Sequence, residues 1–292
     1  MSQSMASGFD YDNAFSRNLG WTTEAEQARL RNARVAVAGL GGVGGFHVTT
    51  LARLGVGKFS IADFDAFDYP NFNRQAGAMV STVGKQKAEV ITAMTKDINP
   101  EADIRVFPKG VDESNIETFL DGASVYVDGL DFFAFKARQL AFATCHRLGI
   151  PAVTAAPLGM GTSVLVFLPG GMSFEDYFGF EGRSDTEKAL RFLVGLAPRR
   201  LHNEYLVEPN RISLKDRKGP STVMGCMLCA GAAATETLKL ILNRGDVRGA
   251  PWGYHFDAYT NRLVRTWRPG GHRNPLQRMA ISIGARMLAK SA

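Results

Sequence analysis

Three glycines after a short apolar stretch form the first pattern in this sequence that suits ligand binding. Gly39, Gly41 and Gly44 fit the spacing G-x-G-x-x-G directly after VAVA and ahead of a helical pattern. The first glycine permits a tight turn, the second lets backbone approach phosphate, and the third allows the helix to pack closely with its N-terminus facing the anion. Asp63 ends the next predicted strand, where a carboxylate can hold ribose hydroxyls. The pattern predicts a nucleotide site.

Amide and cationic side chains after Asp63 separate two classes of nucleotide enzyme. Asn71, Arg74 and Lys87 follow that carboxylate closely along the chain. An NAD- or FAD-binding oxidoreductase, which holds a diphosphate, needs little cationic help at this point. Attack at the α-phosphorus of a triphosphate needs Arg and Lys nearby to stabilise the developing charge. These residues favour ATP, and the oxidoreductase stays open as the alternative.

Alternating strand and helix patterns surround these residues in the first half of the chain. Strands are predicted at Arg34–Ala38 and 59–62, and again in ADIRVF, SVYVDGLD and IPAVTAA, with helices between them. After Pro157, GTSVLVFL and GYHFDAYTNRLVRTW predict antiparallel strands, the second a hairpin that turns near Asn261. The expected fold class is α/β, a doubly wound, mainly parallel Rossmann-like sheet with an antiparallel extension in the second half.

The chain reads as one domain, residues 1–292, because it contains no repeat and no low-complexity linker. We divide it into a helical arm (1–33), a nucleotide-binding half (34–157), an acceptor-side half (158–258) and a basic C-terminal extension (259–292). The helix of the arm is expected to begin near Thr22 and Thr23. The acceptor-side half carries an apolar helix from about Val223 to Leu242.

Charge is unevenly distributed in this otherwise ordinary composition of 45% hydrophobic and 21% charged residues. The net charge is +6, yet no acid follows Asp257, whereas seven Lys or Arg do. The basic character therefore belongs to the tail, and nucleic-acid binding by the core is not expected.

Cysteine content and hydropathy indicate a cytoplasmic protein. Three cysteines give no disulfide framework and suit a reducing compartment. The longest uncharged stretch, Gly149 to Phe174, is interrupted by proline and glycine, so we expect strands joined by turns and no transmembrane segment. The opening residues MSQSMASGFDYDNAF contain acids and no apolar run, so no secretory signal is expected.

Five short motifs occur in a fixed order along the chain: GLGGVG, DFD, NFNRQ, TVGKQK and DGLD. The upstream FSRNLGWTTEAEQARLRNARVAVAG and the later TETLKLI belong to the same series. Together they resemble the ThiF/MoeB/HesA family, adenylating enzymes related to ubiquitin-activating enzymes, over roughly residues 14 to 245. The resemblance implies an ATP-dependent adenylyltransferase that activates a carboxylate as an acyl-adenylate and releases pyrophosphate.

The resemblance also implies roles for the nucleotide-binding residues. The nucleotide turn is formed by Gly39, Gly41, Gly42 and Gly44, and Asp63 takes the ribose. The phosphates are held by Asn71, Arg74 and Lys87.

Two further roles follow from the same resemblance. Asp131, in DGLD, matches the aspartate that coordinates Mg²⁺, and Arg17, in SRN, matches an arginine that reaches the phosphates of a partner subunit. A homodimer is therefore implied, with Arg74, Lys87, Asp131 and Arg17 as catalytic residues and ATP and Mg²⁺ as cofactors. A small ubiquitin-like or sulfur-carrier protein is a possible partner.

Three features depart from the family pattern. Cys226 and Cys229 form the only C-x-x-C pair, and two thiolates cannot fill a tetrahedral site, so no zinc is expected. No cysteine lies in the crossover region, about Glu175 to Lys218, so we expect no enzyme thioester. Phe132 stands where a small polar residue is more usual, and DFFAFKAR is longer than the family spacing. A catalytically inactive, partner-binding member of the family is the second alternative.

The tail segment PLQRMAISIGARMLAK predicts a helix in which Leu276, Met279, Ile283 and Met287 lie close to one stripe. We expect this helix to pack on its own domain. Docking onto an acidic partner, RNA or a membrane surface is the alternative.

Overall fold

One mixed sheet organises the protein. The computed structural model describes the backbone of residues 8–213 and 219–290, and the side chains as far as residue 286. Within these ranges eight strands follow the order β3-β2-β1-β4-β5-β6-β7-β8. They are β1 Arg34–Ala38, β2 Lys58–Ala62, β3 Asp103–Phe107, β4 Ala123–Asp128, β5 Ala152–Leu158, β6 Gly161–Phe167, β7 Trp252–Asp257 and β8 Arg262–Trp267. Strands β1 to β5 pair in parallel and β5 to β8 pair antiparallel, which confirms the predicted fold class.

Helices flank both faces of this sheet. The described helices are α1 Tyr11–Ala14, α2 Glu24–Asn32, α3 Gly44–Arg53, α4 Lys87–Ile98, α5 Ile116–Leu120, α6 Phe135–Leu148, α7 Phe174–Phe178, α8 Asp185–Leu196, α9 Val223–Leu242 and α10 Pro275–Lys290. Thr23 caps α2 and forms a capping box with Glu26, as its sequence position predicts. Gly149 ends α6 in the left-handed conformation, with φ of +70°.

The strand side chains divide the core into two layers. Val35 and Val37 of β1 face a cluster with α3, α4 and α9, whereas Ala36 and Ala38 face a second cluster with α5 to α8. Strands buried on both faces are typical of parallel sheets covered by crossover helices. The hairpin β7–β8 extends the sheet beyond this region and turns through Asn261, which has φ of +54°. The predicted boundary at residue 259 falls in that turn.

Helix α9 has the length and hydropathy of a membrane span by composition alone, but half of its 18-residue apolar window is buried inside the protein. It packs against β5, β6 and α3. The buried half includes Cys226, Cys229 and Ala233, so core packing accounts for much of its apolar composition. The predicted turn-linked strands between Gly149 and Phe174 are β5 and β6.

The C-terminal helix α10 packs on its own domain, against α8, but through a different face from the predicted stripe. Gln277 is buried, and a Cβ at Gly284 would lie 2.5 Å from Cδ1 of Leu190, so the small residue permits close approach. The stripe residues Leu276, Met279 and Ile283 are about half exposed, at 55%, 57% and 46%. The side chain of Met287 lies outside the described residues. The stripe is therefore not the face through which α10 packs.

His47 on α3 links the core to the pH dependence of stability. Its side chain is buried, and neither ring nitrogen has a hydrogen-bond partner among the described residues. Burial lowers the pKa of His47 to about 3. An unfolded histidine titrates near pH 6.5, so between these values the unfolded state takes up a proton that the folded state does not. Stability is therefore lost as pH falls from about 6.5 towards 3.

We expect His47→Met to flatten this part of the stability profile. Its free energy of unfolding, measured by urea titration at pH 5, 6 and 7, should depend less steeply on pH than that of the wild type, by up to ~1.4 kcal/mol per pH unit. The matched control is His146→Met, because His146 is exposed on α6. Equal slopes for His47→Met and the wild type would contradict the assignment.

Candidate active site

The turn between β1 and α3 is held by contacts among three glycines. Gly39 adopts φ of +82°, and its N–H donates to the Ala62 carbonyl over 2.7 Å. A Cβ at Gly44 would lie 1.8 Å from the Gly39 carbonyl oxygen, and a Cβ at Gly39 would lie 2.3 Å from that of Gly129. Gly129, directly after β4, was missed as a site residue, although its place beside the predicted strand end was a signal. The turn therefore stands directly against the end of β4.

Asp63 lies at the end of β2 with both carboxylate oxygens engaged by backbone. Oδ2 accepts from the Leu40 N–H at 2.6 Å, and Oδ1 accepts from the Asp65 N–H at 2.8 Å. Burial raises the pKa of Asp63, and these two hydrogen bonds and nearby Lys87 act in the opposite direction. The carboxylate is thus fixed beside the glycine turn, and carboxylate oxygens have further lone pairs for ribose hydroxyls.

Lys87 and Asn71 lie along the segment that follows β2. Lys87 begins α4 and is buried, and its Nζ lies 3.0 Å from Oδ2 of Asp65. Asn71 ends the 3-10 turn Tyr69–Asn71, where its Oδ1 accepts from the Asp68 N–H at 3.0 Å. The Lys87 ammonium is therefore held beside the Asp63–Asp65 turn, while the side-chain oxygen of Asn71 stabilises its own loop.

Arg74 lies between the glycine turn and the start of α9. Its Nη1 donates to the Pro70 carbonyl and to Oδ1 of Asn73, both at 2.9 Å. A Cβ at Gly42 would lie 3.7 Å from Nε of Arg74 and 3.4 Å from Sγ of Cys226. Gly42, Arg74 and Cys226 are therefore close neighbours.

A long-range hydrogen bond fixes this arrangement. Nδ2 of Asn73 donates to the Ser221 carbonyl at 3.0 Å, next to Thr222, which caps α9. Asn73, Ser221 and Cys226 were not predicted as site residues, because no local pattern brings positions so far apart in sequence together.

Asp131 belongs to the loop between β4 and α6. Gly129 donates to the Ala38 carbonyl at 2.9 Å, which holds this loop against the glycine turn. Asp131 is exposed, and its Oδ1 accepts from the Phe133 N–H at 2.9 Å. Among the described residues no group of three His, Cys, Asp or Glu could form a metal cage. Mg²⁺ usually binds one or two protein carboxylates together with substrate phosphates, so one exposed carboxylate beside the glycine turn fits this ion.

Arg17 is the one predicted site residue that lies away from the others. It occupies the 3-10 turn Ser16–Asn18, and Nδ2 of Asn18 donates to the Leu54 carbonyl at 3.0 Å. Leu54 follows the C-terminal end of α3, whereas the glycine turn precedes its N-terminal end. A helix of this length is about 15 Å long, so Arg17 stands at the opposite edge of the sheet from the site in its own chain.

The remaining predicted groups lie around the carboxyl ends of β1 and β4, where the strand order reverses. Open α/β sheets bind ligands in the crevice outside such a point. A sequence profile of the ThiF family matches residues 15–279. The chain belongs to the ThiF family. The predicted resemblance is thus confirmed, over a longer part of the chain than the motifs covered.

Several ThiF-family relatives share this sequence over part of their length. The tRNA threonylcarbamoyladenosine dehydratase of Haemophilus influenzae is 37% identical over 133 residues, 45% of this chain and 50% of the relative. The SAMP-activating enzyme E1 of Haloferax volcanii is 32% identical over 222 residues, 75% of this chain and 71% of the relative. The match spans about half the length of the dehydratases.

Solved structures share the fold. The E. coli dehydratase TcdA in complex with ATP superposes with a TM-score of 0.59 at 22% identity, covering 80% of this chain and 95% of that structure. At this identity the likeness shows the fold alone.

All three cysteines are buried in this ThiF-family chain. Burial raises the pKa of the thiols of Cys145, Cys226 and Cys229, and neighbouring Ser221 and Arg74 oppose the shift at Cys226. A buried thiol with a raised pKa is a poor nucleophile at neutral pH. The crossover region contains α7 and α8, and its residues 214–218 lie outside the described residues.

We expect Gly44→Ala to disrupt the turn. Its Cβ would meet backbone, which cannot rotate away, so we expect a loss of roughly 1–3 kcal/mol in unfolding free energy. Gly231→Ala is the control, because that exposed position on α9 has nothing within 4 Å of an added Cβ. It should stabilise α9 by up to ~1 kcal/mol. Thermal unfolding checks both changes, and wild-type stability in Gly44→Ala would contradict the packing argument.

Proposed function

We propose that this ThiF-family protein is an ATP-dependent adenylyltransferase, which activates a carboxylate as an acyl-adenylate and releases pyrophosphate. The observation that carries the proposal is the meeting of the glycine turn, Asp63 and the cations Arg74 and Lys87 at one sheet edge. Relatives are named molybdopterin-synthase adenylyltransferase and SAMP-activating enzyme E1, and TcdA forms a complex with ATP.

The proposed reaction needs positioning and charge more than proton transfer. A carboxylate, already ionised at neutral pH, attacks the α-phosphorus through one oxygen. The bond from the α-phosphorus to the bridging oxygen breaks in line, and pyrophosphate takes the electron pair. No general base is required, which agrees with histidines such as His47 and His255 being buried in the core.

In this proposal each site residue has a separate task. The turn Gly39–Gly44 receives the phosphates, Asp63 holds the ribose, and Asn71, Arg74 and Lys87 contact the triphosphate. Asp131 would hold Mg²⁺, which lowers the charge on the phosphates and helps to align them. Arg74 and Lys87 stabilise the negative charge that develops as pyrophosphate leaves.

The proposed substrate is a molecule with an exposed carboxyl group: the C-terminus of a ubiquitin-like or sulfur-carrier protein, a peptide, or a small acid. Support comes from relatives that are named SAMP-activating enzyme E1 and molybdopterin-synthase adenylyltransferase. A structure of MccB with an MccA peptide derivative gives further support. We further propose that the acyl group leaves the adenylate without an enzyme thioester, because every cysteine is buried with a raised pKa.

Removing a phosphate or metal contact should abolish most activity. We expect Arg74→Ala and Asp131→Ala each to lower pyrophosphate release by roughly 10²–10³-fold, because each loses charge stabilisation that is largest in the transition state. The assay follows labelled ATP with a panel of carboxylates, including a peptide that ends in Gly-Gly. Arg147→Ala is the control, since Arg147 is exposed on α6 and pairs with Glu117 on the surface.

Nucleotide choice separates this function from the oxidoreductase alternative. Calorimetric titration of the wild type should give ATP binding and no NAD binding. Tighter binding of NAD, or unchanged pyrophosphate release in Asp131→Ala, would contradict the proposal.

We propose a homodimer in which Arg17 of one subunit serves the site of the other. Its position at the far edge of the sheet from the glycine turn supports action in trans. Each site would then take Asp131 from one subunit and Arg17 from the other. A dimer formed from one Arg17→Ala subunit and one Asp131→Ala subunit therefore has one intact site, so a mixture of the two inactive variants should regain activity. Random exchange predicts recovery of about a quarter of wild-type activity. A mixture that stays inactive, or a wild-type monomer by sedimentation, would contradict the dimer.

A further inference from the structure

The side chain of Arg138, in the first turn of α6, bonds to three consecutive residues of the loop that carries Asp131. It is 2% exposed, and its Nε donates to Oδ2 of Asp128 at 2.8 Å. Nη2 donates to the carbonyls of Leu130 at 2.8 Å and Asp131 at 3.0 Å, and Nη1 donates to that of Phe132 at 3.1 Å. One guanidinium therefore fixes the backbone of residues 130–132 from the buried side of the loop.

The partner carboxylate of Arg138 is itself anchored. Asp128 ends β4 and is 4% exposed. Its Oδ2 also accepts from Oγ1 of Thr154 on β5 at 3.0 Å, and its Oδ1 accepts from the Leu130 N–H at 3.2 Å. The ion pair thus ties the loop to two neighbouring strands.

A third contact connects this anchor to the acceptor-side half of the protein. The Arg138 guanidinium lies 4.5 Å from the centre of the Phe192 ring on α8. Phe132, the residue that departs from the family pattern, also packs on Phe192, with ring centres 5.2 Å apart. The loop is therefore held by two contacts, one with the Arg138 guanidinium and one with Phe192 of α8.

The geometry of these bonds requires arginine. A guanidinium offers five N–H donors in a fixed plane, which suits one carboxylate and three carbonyls arranged around it. A lysine at this position retains a positive charge for Asp128, but its ammonium has three donors on a flexible stem. It would leave loop carbonyls without partners.

We propose that Arg138 is a positioning residue for metal-bound nucleotide: it fixes the loop so that the Asp131 carboxylate stays beside the glycine turn. This inference rests on the proposed adenylyltransferase function. Arg138 is buried behind the loop and acts through Asp131, so its effect should be confined to the metal-dependent part of ATP binding. Binding through Asp63 and the glycine turn does not pass through it.

The test compares ATP affinity with and without metal in Arg138→Lys. Calorimetry with ATP in EDTA should give an affinity close to that of the wild type. In Mg²⁺ the wild type should bind ATP more tightly than in EDTA. The affinity of Arg138→Lys for ATP in Mg²⁺ should be about 10-fold or more below that of the wild type, which is the usual effect of removing a group that orients a metal ligand. Arg147→Lys on the same helix is the matched control, because it keeps an exposed charge and contacts no loop carbonyl.

Three outcomes overturn the proposal. One is an unchanged Mg²⁺ effect in Arg138→Lys, and another is an equal loss of affinity in EDTA and in Mg²⁺, which would indicate a purely structural role. If Arg138→Lys fails to fold, Asp128→Asn provides the same comparison with side-chain size retained, and an unchanged Mg²⁺ effect there overturns it as well. A wild type that binds no ATP in either buffer instead refutes the proposed function itself.

Discussion

The closeness of the turn after β1 to the end of β4 is the constraint on which the whole site depends. Gly39, Gly44 and Gly129 meet there with no room for a side chain on any of them. This contact brings the start of α3, with its free backbone N–H groups, next to the loop that carries Asp131. The strand order of the sheet also reverses at this point, so the crevice and its polar groups have one structural origin.

Charges around the crevice are arranged before any nucleotide arrives. Lys87 is buried but its partner Asp65 is half exposed, with side-chain exposures of 7% and 54%. Because Asp65 is open to water, its carboxylate can be hydrated again when another anion takes its place beside Lys87. Under the proposed function that anion is the triphosphate. The pair keeps the ammonium in place without blocking it.

The sequence was sufficient for the strands and most of the helices, but not for all of them or for all of their faces. The Thr23 cap and Gly149 act locally and marked helix ends correctly, whereas α7 and α8 lie in a segment that was interpreted as an aromatic-rich loop and a polar region. Helix α10 shows the limit. Its apolar stripe was visible, but close approach to α8 depends on Gly284, and the buried residue Gln277 carries a polar amide and lies outside that stripe. Periodicity identifies an apolar face without saying which face has a neighbour.

The site residues divide in the same way. Gly39, Gly44 and Asp63 could be named because motif spacing along one strand–turn–helix–strand unit fixes where they lie, whereas Asp131 was named only through the family resemblance. The bond from Asn73 to Ser221 joins residues 148 positions apart, and only the folded sheet brings them together. The predicted motif DGLD contained Gly129 and Asp128, but their roles in backbone contact and in anchoring Arg138 depend on neighbours in β1, β5 and α6.

The position of Cys226 has a practical consequence for measuring motion at this crevice. Its thiol is buried between the Gly42 turn and the start of α9, and its raised pKa slows reaction with alkylating reagents. Modification therefore requires α9 to separate transiently from the turn, as amide exchange requires local opening. The labelling rate of this one thiol would report how often α9 and the glycine turn separate. Such a reporter is intrinsic to the chain and works before any carboxylate substrate is known.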